Sequence, residues 1–256
     1  MRQDRLTKWD ASRLGDYIVL PIDYGFVNNK DCYFISHYWR EKDHPDRNGE
    51  DLRGFKEDIA SDELWSYVWV DWTCMPQGNG KGERSEREKS YFKLMLTCIP
   101  MLVRDCAFEW RFPPHEPRAW VLYEIAEFIL GHKLDITTDD NKTFINHVSE
   151  MVNFPVVDEH TGVCQILDKY GYDCTNKGDK RLVTGWLEIL VILTKCFPGE
   201  TEIVFRKEVL DMLNKPAVGS WSNPLMDFEI DKAEGTARHK GIVYNFTPIY
   251  KITSHI

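Results

Sequence analysis

"CYFISHYWREKDHPDRNGEDLRGFKEDIA", Cys32 to Ala60, is the stretch that sets the fold. Cys32 to Ser36 is a short apolar run of strand formers, and the polar residues after it, punctuated by Pro45 and Gly49, read as a loop. Leu52, Phe55 and Ile59 then recur at roughly helical spacing, so the spacing predicts a helix over residues 50–60. Working outward, "YVWVDW" (67–72) is β-branched and aromatic and predicts a second strand, running into the loop "TCMPQGNGKGERSE". A helix is expected over 85–103, with Pro100 kinking or ending it. "CAFEW" (106–110) predicts a third strand, "RFPPHEP" breaks the chain, and residues 118–131 predict a further helix. "LDITT" (134–138) would supply a fourth strand.

Strand and helix alternating at this spacing predict an α/β domain with a parallel sheet over residues 31–140. Residues 1–30 form an N-terminal extension, and 141–256 are expected to be a mainly helical elaboration packed on the core. Within it, helices are expected at 142–152, 182–197 and 202–214, the last amphipathic through Ile203, Val204, Leu210 and Leu213. The tail "KGIVYNFTPIYKI" alternates like a strand. No internal repeat or low-complexity tract is present.

The chain has 256 residues, enough for one large domain, and its 43% hydrophobic content suits a packed core. A formal net charge of −9 argues against a nucleic-acid partner, because neutralising phosphates needs a basic surface. The seven cysteines are odd in number and widely spaced, with no C-x-x-C pair. That pattern fits reduced, mostly buried thiols better than a disulfide framework or a zinc site. The N-terminus lacks an apolar signal region, and "GWLEILVILTKCF" is short and interrupted by Glu188 and Lys195, so no membrane span is expected. These observations predict a soluble cytoplasmic protein.

In a parallel sheet ligands gather beyond the carboxyl ends of the strands. Those ends are His37 to Arg40, Asp71 to Gln77, and the proline-rich loop leading to Trp120. The glycine run "GNGKGER" (78–84) follows a strand, but it departs from both G-x-G-x-x-G and the P-loop and reads as a surface loop. The histidines are scattered with no H-x-x-x-H pair, so no metal site is expected. Ser36 and His37 are neighbours on a strand and point to opposite faces, which removes them as a nucleophile–base pair. Asp71 either caps the loop after its strand or belongs to the site. In "RAWVLYEIAEFI", Trp120 and Glu124 stand i, i+4 near the amino end of the predicted helix and share a face. Glu124 is therefore either the wet side of a structural helix or a partly desolvated carboxylate beside an indole, suited to stabilising a developing positive charge.

"CYFISHYWRE" resembles the first strand and following loop of Toll/interleukin-1 receptor (TIR) domains, and "RAWVLYEIAEF" resembles their third-helix signature Ser-x-Trp-Cys-x-x-Glu-Leu. Trp120 and Glu124 match that Trp and Glu, Val121 stands where Cys is usual, and Ile125 replaces Leu. "YVWVDWTCMPQ", followed by "EREKSYFKLML", is similar to the pattern of fungal heterokaryon-incompatibility (HET) domains, themselves considered TIR-like, with Met75-Pro76 in place of Ile-Asn. The resemblance covers about residues 31–140. It implies a flavodoxin-like parallel sheet flanked by helices, and an enzyme that cleaves NAD or a related nucleotide at the nicotinamide–ribose bond, in immune or cell-death signalling. Glu124 would be the catalytic carboxylate, and Trp120 a wall of the pocket. Ser36, Tyr38, Trp39, Arg40 and Asp71 would bind substrate, an aromatic stacking on a base and Arg40 pairing with the pyrophosphate. NAD is then a substrate, no cofactor is implied, and self-association is expected. Two other readings stay open: a non-enzymatic TIR-like self-association module, and a nucleoside or nucleotide ribosyltransferase.

Overall fold

The computed structural model describes residues 8–17, 32–37, 46–60, 67–77, 84–111, 116–132, 137–139, 141–154, 159–174, 177–215 and 217–249. It divides into two compact units, residues 1–113 and 114–256. The division falls at the Pro113–Pro114 pair, inside the stretch 31–140 read from the sequence as one domain.

The first unit is built on three parallel strands, β1 (Cys32–His37), β2 (Tyr67–Trp69) and β3 (Ala107–Arg111), in the order β2-β1-β3. β1 occupies the centre, with Phe34 opposite Trp69 on one side and Phe108 on the other. That position explains its apolar run, since a strand with neighbours on both edges in a parallel sheet is usually covered on both faces. Phe34 and Val68 are essentially without solvent contact, and the rings of Phe34 and Trp69 stack with centroids 4.7 Å apart. Helix α1 (Glu50–Ala60) joins β1 to β2, as the spacing predicts.

The second strand is shorter than predicted. The chain turns at Val70 into a four-residue helix, α2 (Asp71–Cys74), so Asp71 and Trp72 are helical. Helix α3 (Glu86–Asp105) opens with a capping box in which Ser85 and Glu88 satisfy each other's backbone N–H groups. Pro100 does not end α3, which runs on to Asp105 with Cys98 to Pro100 and Leu102 to Arg104 buried. Packing of that buried half offsets the one backbone hydrogen bond that proline removes. Part of the N-terminal extension is tied to this unit: Trp9 stacks on Tyr91 at 5.4 Å, and the Tyr17 hydroxyl donates to the Thr73 carbonyl at 2.8 Å.

The second unit is organised around two buried helices, α4 (Ala119–His132) and α7 (Lys177–Cys196). α4 packs chiefly on α7 and also on α5 (Lys142–Val152) and α8 (Ile203–Asn214). α6 (Glu159–Lys169), absent from the sequence reading, packs on α7 and α5. α7 starts five residues earlier than the spacing predicts, and its central residues from Val183 to Leu193 are all buried. On α8 one expectation is reversed: Val204 is 75% exposed, and the buried stripe is Arg206, Val209, Leu210 and Leu213.

Beyond the helices lies a four-stranded antiparallel sheet, β4 (Ser220–Asn223), β5 (Phe228–Asp231), β6 (Thr236–His239) and β7 (Ile242–Asn245), paired in chain order. Only the last of these corresponds to a strand foreseen in the sequence. The hairpin from β6 to β7 turns through Lys240 and Gly241, both with positive φ, the conformation a two-residue turn between twisted strands requires. The "LDITT" strand falls mostly outside the described residues, and Thr137 and Thr138 are not in a strand. The glycine run at 78–83 also lies outside them. Among the described residues no helix is long and apolar enough to cross a membrane. All seven cysteines are free thiols, six buried and Cys164 half-buried.

Candidate functional site

The amino end of α4 is pinned by the chain. Arg118 forms a parallel bridge with Asp173, the Ala119 N–H donates to the Asp173 carbonyl at 3.0 Å, and the Asp173 N–H reaches the Pro117 carbonyl. Asp173 is held in turn by Tyr172, which is fully buried and shares a 2.8 Å hydrogen bond with His147 Nδ1, while His147 stacks on Tyr170 at 3.5 Å. The first turn of α4 is thus fixed by backbone bonds to a segment that is anchored in the interior.

On that helix two glutamates stand among apolar residues, and their environments differ. Glu127 is wholly enclosed and accepts a 2.8 Å hydrogen bond from the Tyr123 hydroxyl, its i−4 neighbour. Glu124 retains 9% exposure and lies on the stripe of Trp120, Glu124 and Phe128, where Trp120 is half-buried. The Trp120 ring meets Tyr123 edge-on at 6.0 Å, which fixes the indole beside the glutamate's turn. Of the two carboxylates, only Glu124 retains measurable exposure. A carboxylate in that setting acts on cationic character more strongly than one in water, because the local dielectric is low.

The remaining predicted residues, Ser36, Tyr38, Trp39, Arg40 and Asp71, all belong to the first unit, residues 1–113. Ser36 is buried on β1, opposite Trp110 of β3. Asp71 opens α2: its Oδ1 accepts the Trp72 N–H at 2.6 Å, and its carbonyl accepts from the Met75 N–H and from Gln77 Nε2. Val70 is the residue before α2 and no side chain caps the helix, so Asp71 lies in the first turn of a short helix, where an acid is electrostatically favourable, rather than capping a loop. Ser36 is the penultimate residue of β1, and Asp71 follows the carboxyl end of β2, its neighbour in the sheet. Tyr38, Trp39 and Arg40 lie outside the described residues. Among the described residues no group of three or more His, Cys, Asp or Glu side chains is arranged to hold a metal ion.

Sequence reasoning gave no role to three charged residues that the helices of the second unit enclose, Glu127 on α4, Glu188 on α7 and Arg206 on α8. The Glu188 carboxylate on α7 accepts the Thr247 N–H and lies 4.0 Å from the Cys164 thiol. The signal was available: each is a lone charge inside an otherwise apolar helical stripe, a position a solvated residue avoids. Comparison with family models, with curated proteins and with solved structures yields no match.

Proposed function

We propose that this protein is a TIR-like enzyme that breaks the nicotinamide–ribose bond of NAD or a related nucleotide, with Glu124 as the catalytic carboxylate. The observation that carries the reading is the contrast on α4. Glu127 is wholly enclosed, whereas Glu124 retains 9% exposure and shares its stripe with the half-buried Trp120. The chemistry fits a single carboxylate. Nicotinamide is cationic while bound to ribose and leaves as a neutral molecule with the bonding electron pair, so no general acid is needed. The ribose passes through an oxocarbenium-like transition state, which a nearby carboxylate stabilises. Water then bonds to the anomeric carbon and releases a proton, giving ADP-ribose; an internal or external nucleophile in place of water gives a cyclised or transferred product. Trp120 supplies the wall against which the ring is held.

The parallel order β2-β1-β3 supports a flavodoxin-like sheet, whose strand order begins in the same way. The free thiols support a reducing compartment such as the cytoplasm. The alternative, a non-enzymatic self-association module, draws support from β7, an edge strand with Ile242 and Val243 about half exposed. Incubating the protein with NAD at several protein concentrations and following nicotinamide by chromatography separates the two. Release that scales with enzyme, or that begins once the protein is concentrated enough to assemble, supports the enzyme. Absence of nicotinamide at every concentration favours the module.

A further inference from the structure

The stripe that α8 buries contains a cation. Arg206 is 2% exposed and lies in line with Val209, Leu210 and Leu213. Side chains on a helix lean toward its amino end, and Arg206 follows that rule: Nη1 donates to the Phe197 carbonyl, just past the end of α7, at 3.1 Å. The other edge of the guanidinium, Nε and Nη2, is buried and has no hydrogen-bond partner. Those two N–H groups form the side-on fork that matches two oxygens of one carboxylate or phosphate.

The surroundings suit an anion and do not supply one on that edge. Phe197 packs edge-on against Phe205 at 4.7 Å and lies 4.7 Å from the His239 ring, so the neighbourhood is apolar and any ion pair there is strong. Glu202, the residue preceding α8, does not cap the helix with its side chain; Oε2 instead accepts the Gly199 N–H at 2.8 Å and closes the exposed turn 198–202. Burial lowers the proton affinity of the Arg206 guanidinium, and the negative charge of Glu202 opposes that shift. A guanidinium enclosed with its bidentate edge unused is costly to keep in a folded interior, whereas one that meets an oxyanion is not.

We propose that the Nε–Nη2 edge of Arg206, at the amino end of α8, is a binding site for a compact oxyanion, a carboxylate or a phosphate group, with the Glu202–Gly199 contact as its competing closure. The proposal does not depend on the role of Glu124. It is tested on the full chain by titrating inorganic phosphate, and in a second arm acetate, at constant ionic strength balanced with chloride. The readouts are the Arg206 Nε–H resonance and the thermal unfolding midpoint. A saturable shift of that resonance with a rise in midpoint is expected, and the anion that binds more tightly identifies the group the site takes. Glu202→Gln removes the competing charge and tightens binding severalfold. Arg206→Lys keeps the charge, loses the fork and weakens binding about tenfold. The proposal is overturned if neither anion shifts the resonance saturably in the wild type and in Glu202→Gln, or if Arg206→Lys binds as the wild type does. Should Arg206→Lys fail to fold, the resonance and Glu202→Gln still decide.

Discussion

Gly185→Ala on α7 sets two effects of opposite sign against each other. In a solvent-exposed helix interior the change stabilises by about 1 kcal/mol, because glycine gives up more backbone freedom than alanine. Here the added Cβ would stand 2.5 Å from the Thr247 carbonyl oxygen and 2.9 Å from Ile249 Cγ1, distances at which something must move. The first contact is backbone, and that backbone is held: Thr247 N–H donates to the buried Glu188 carboxylate, Phe246 N–H to Gly235, and Ile249 N–H to the Lys232 carbonyl at 2.7 Å. Overpacking of this kind costs about 1–3 kcal/mol. Displacing Thr247 also weakens a hydrogen bond to a charged group, a loss of about 1.5–3 kcal/mol. Against a gain of about 1 kcal/mol, the net is destabilisation by about 2 kcal/mol or more. Urea unfolding followed by tryptophan fluorescence reads this as a lower midpoint at unchanged slope. A midpoint equal to or above that of the wild type would refute the reasoning, since helix propensity would then have decided the sign.

Three further outcomes are expected. Lys232→Met leaves the carbonyls of Leu213 and Lys215, at the end of α8, without the buried ammonium that reaches them at 2.6 and 3.1 Å, and should lower stability by about 1–3 kcal/mol in chemical denaturation. Tyr123→Phe takes the hydroxyl from the enclosed Glu127 and should cost a similar amount, about 1–3 kcal/mol, with little change in secondary structure by circular dichroism. The pKa of His239 is lowered by burial, reinforced by Lys240 and opposed by Asp227 and Glu202. Its neutral form is thus favoured in the folded state, and the unfolded state takes up the proton first as pH falls below the ordinary histidine value of 6.5. Stability from this group is present above that pH and is lost below it. His239→Gln should therefore flatten the decline in unfolding free energy between about pH 6.5 and 5, and an unchanged slope would remove His239 as its cause.

How much of this was legible depended on how far each element's pattern ran. β1, α1 and α5 were readable to within a residue or so, because each carries its apolar positions at a clean period and ends at a polar or turn-forming break. β4 to β6 were not: four-residue strands such as Phe228–Asp231 and Thr236–His239 bury only two alternate positions, and two positions do not make a period. The helix read over 85–103 is observed as Glu86–Asp105, and of the two effects allowed for Pro100, ending the helix is not one it has, because the burial of Leu102 and Val103 carries α3 past it. On α8, hydropathy assigned Val204 to the interior, yet the turn before the helix supplies a carbonyl that draws Arg206 inward. At the site, the i, i+4 spacing brought Trp120 and Glu124 onto one stripe, but it could not distinguish Glu124 from Glu127. That distinction came from burial, which encloses Glu127 completely and leaves Glu124 9% exposed.

The central claim rests on one carboxylate, and Glu124→Gln probes it while preserving shape and removing charge. Nicotinamide release from NAD by the purified wild-type chain and by this variant, with folding checked by circular dichroism, is the most direct measurement. Loss of turnover by about a hundredfold or more in a folded Glu124→Gln protein is the predicted result. Equal turnover in the two proteins would contradict the claim.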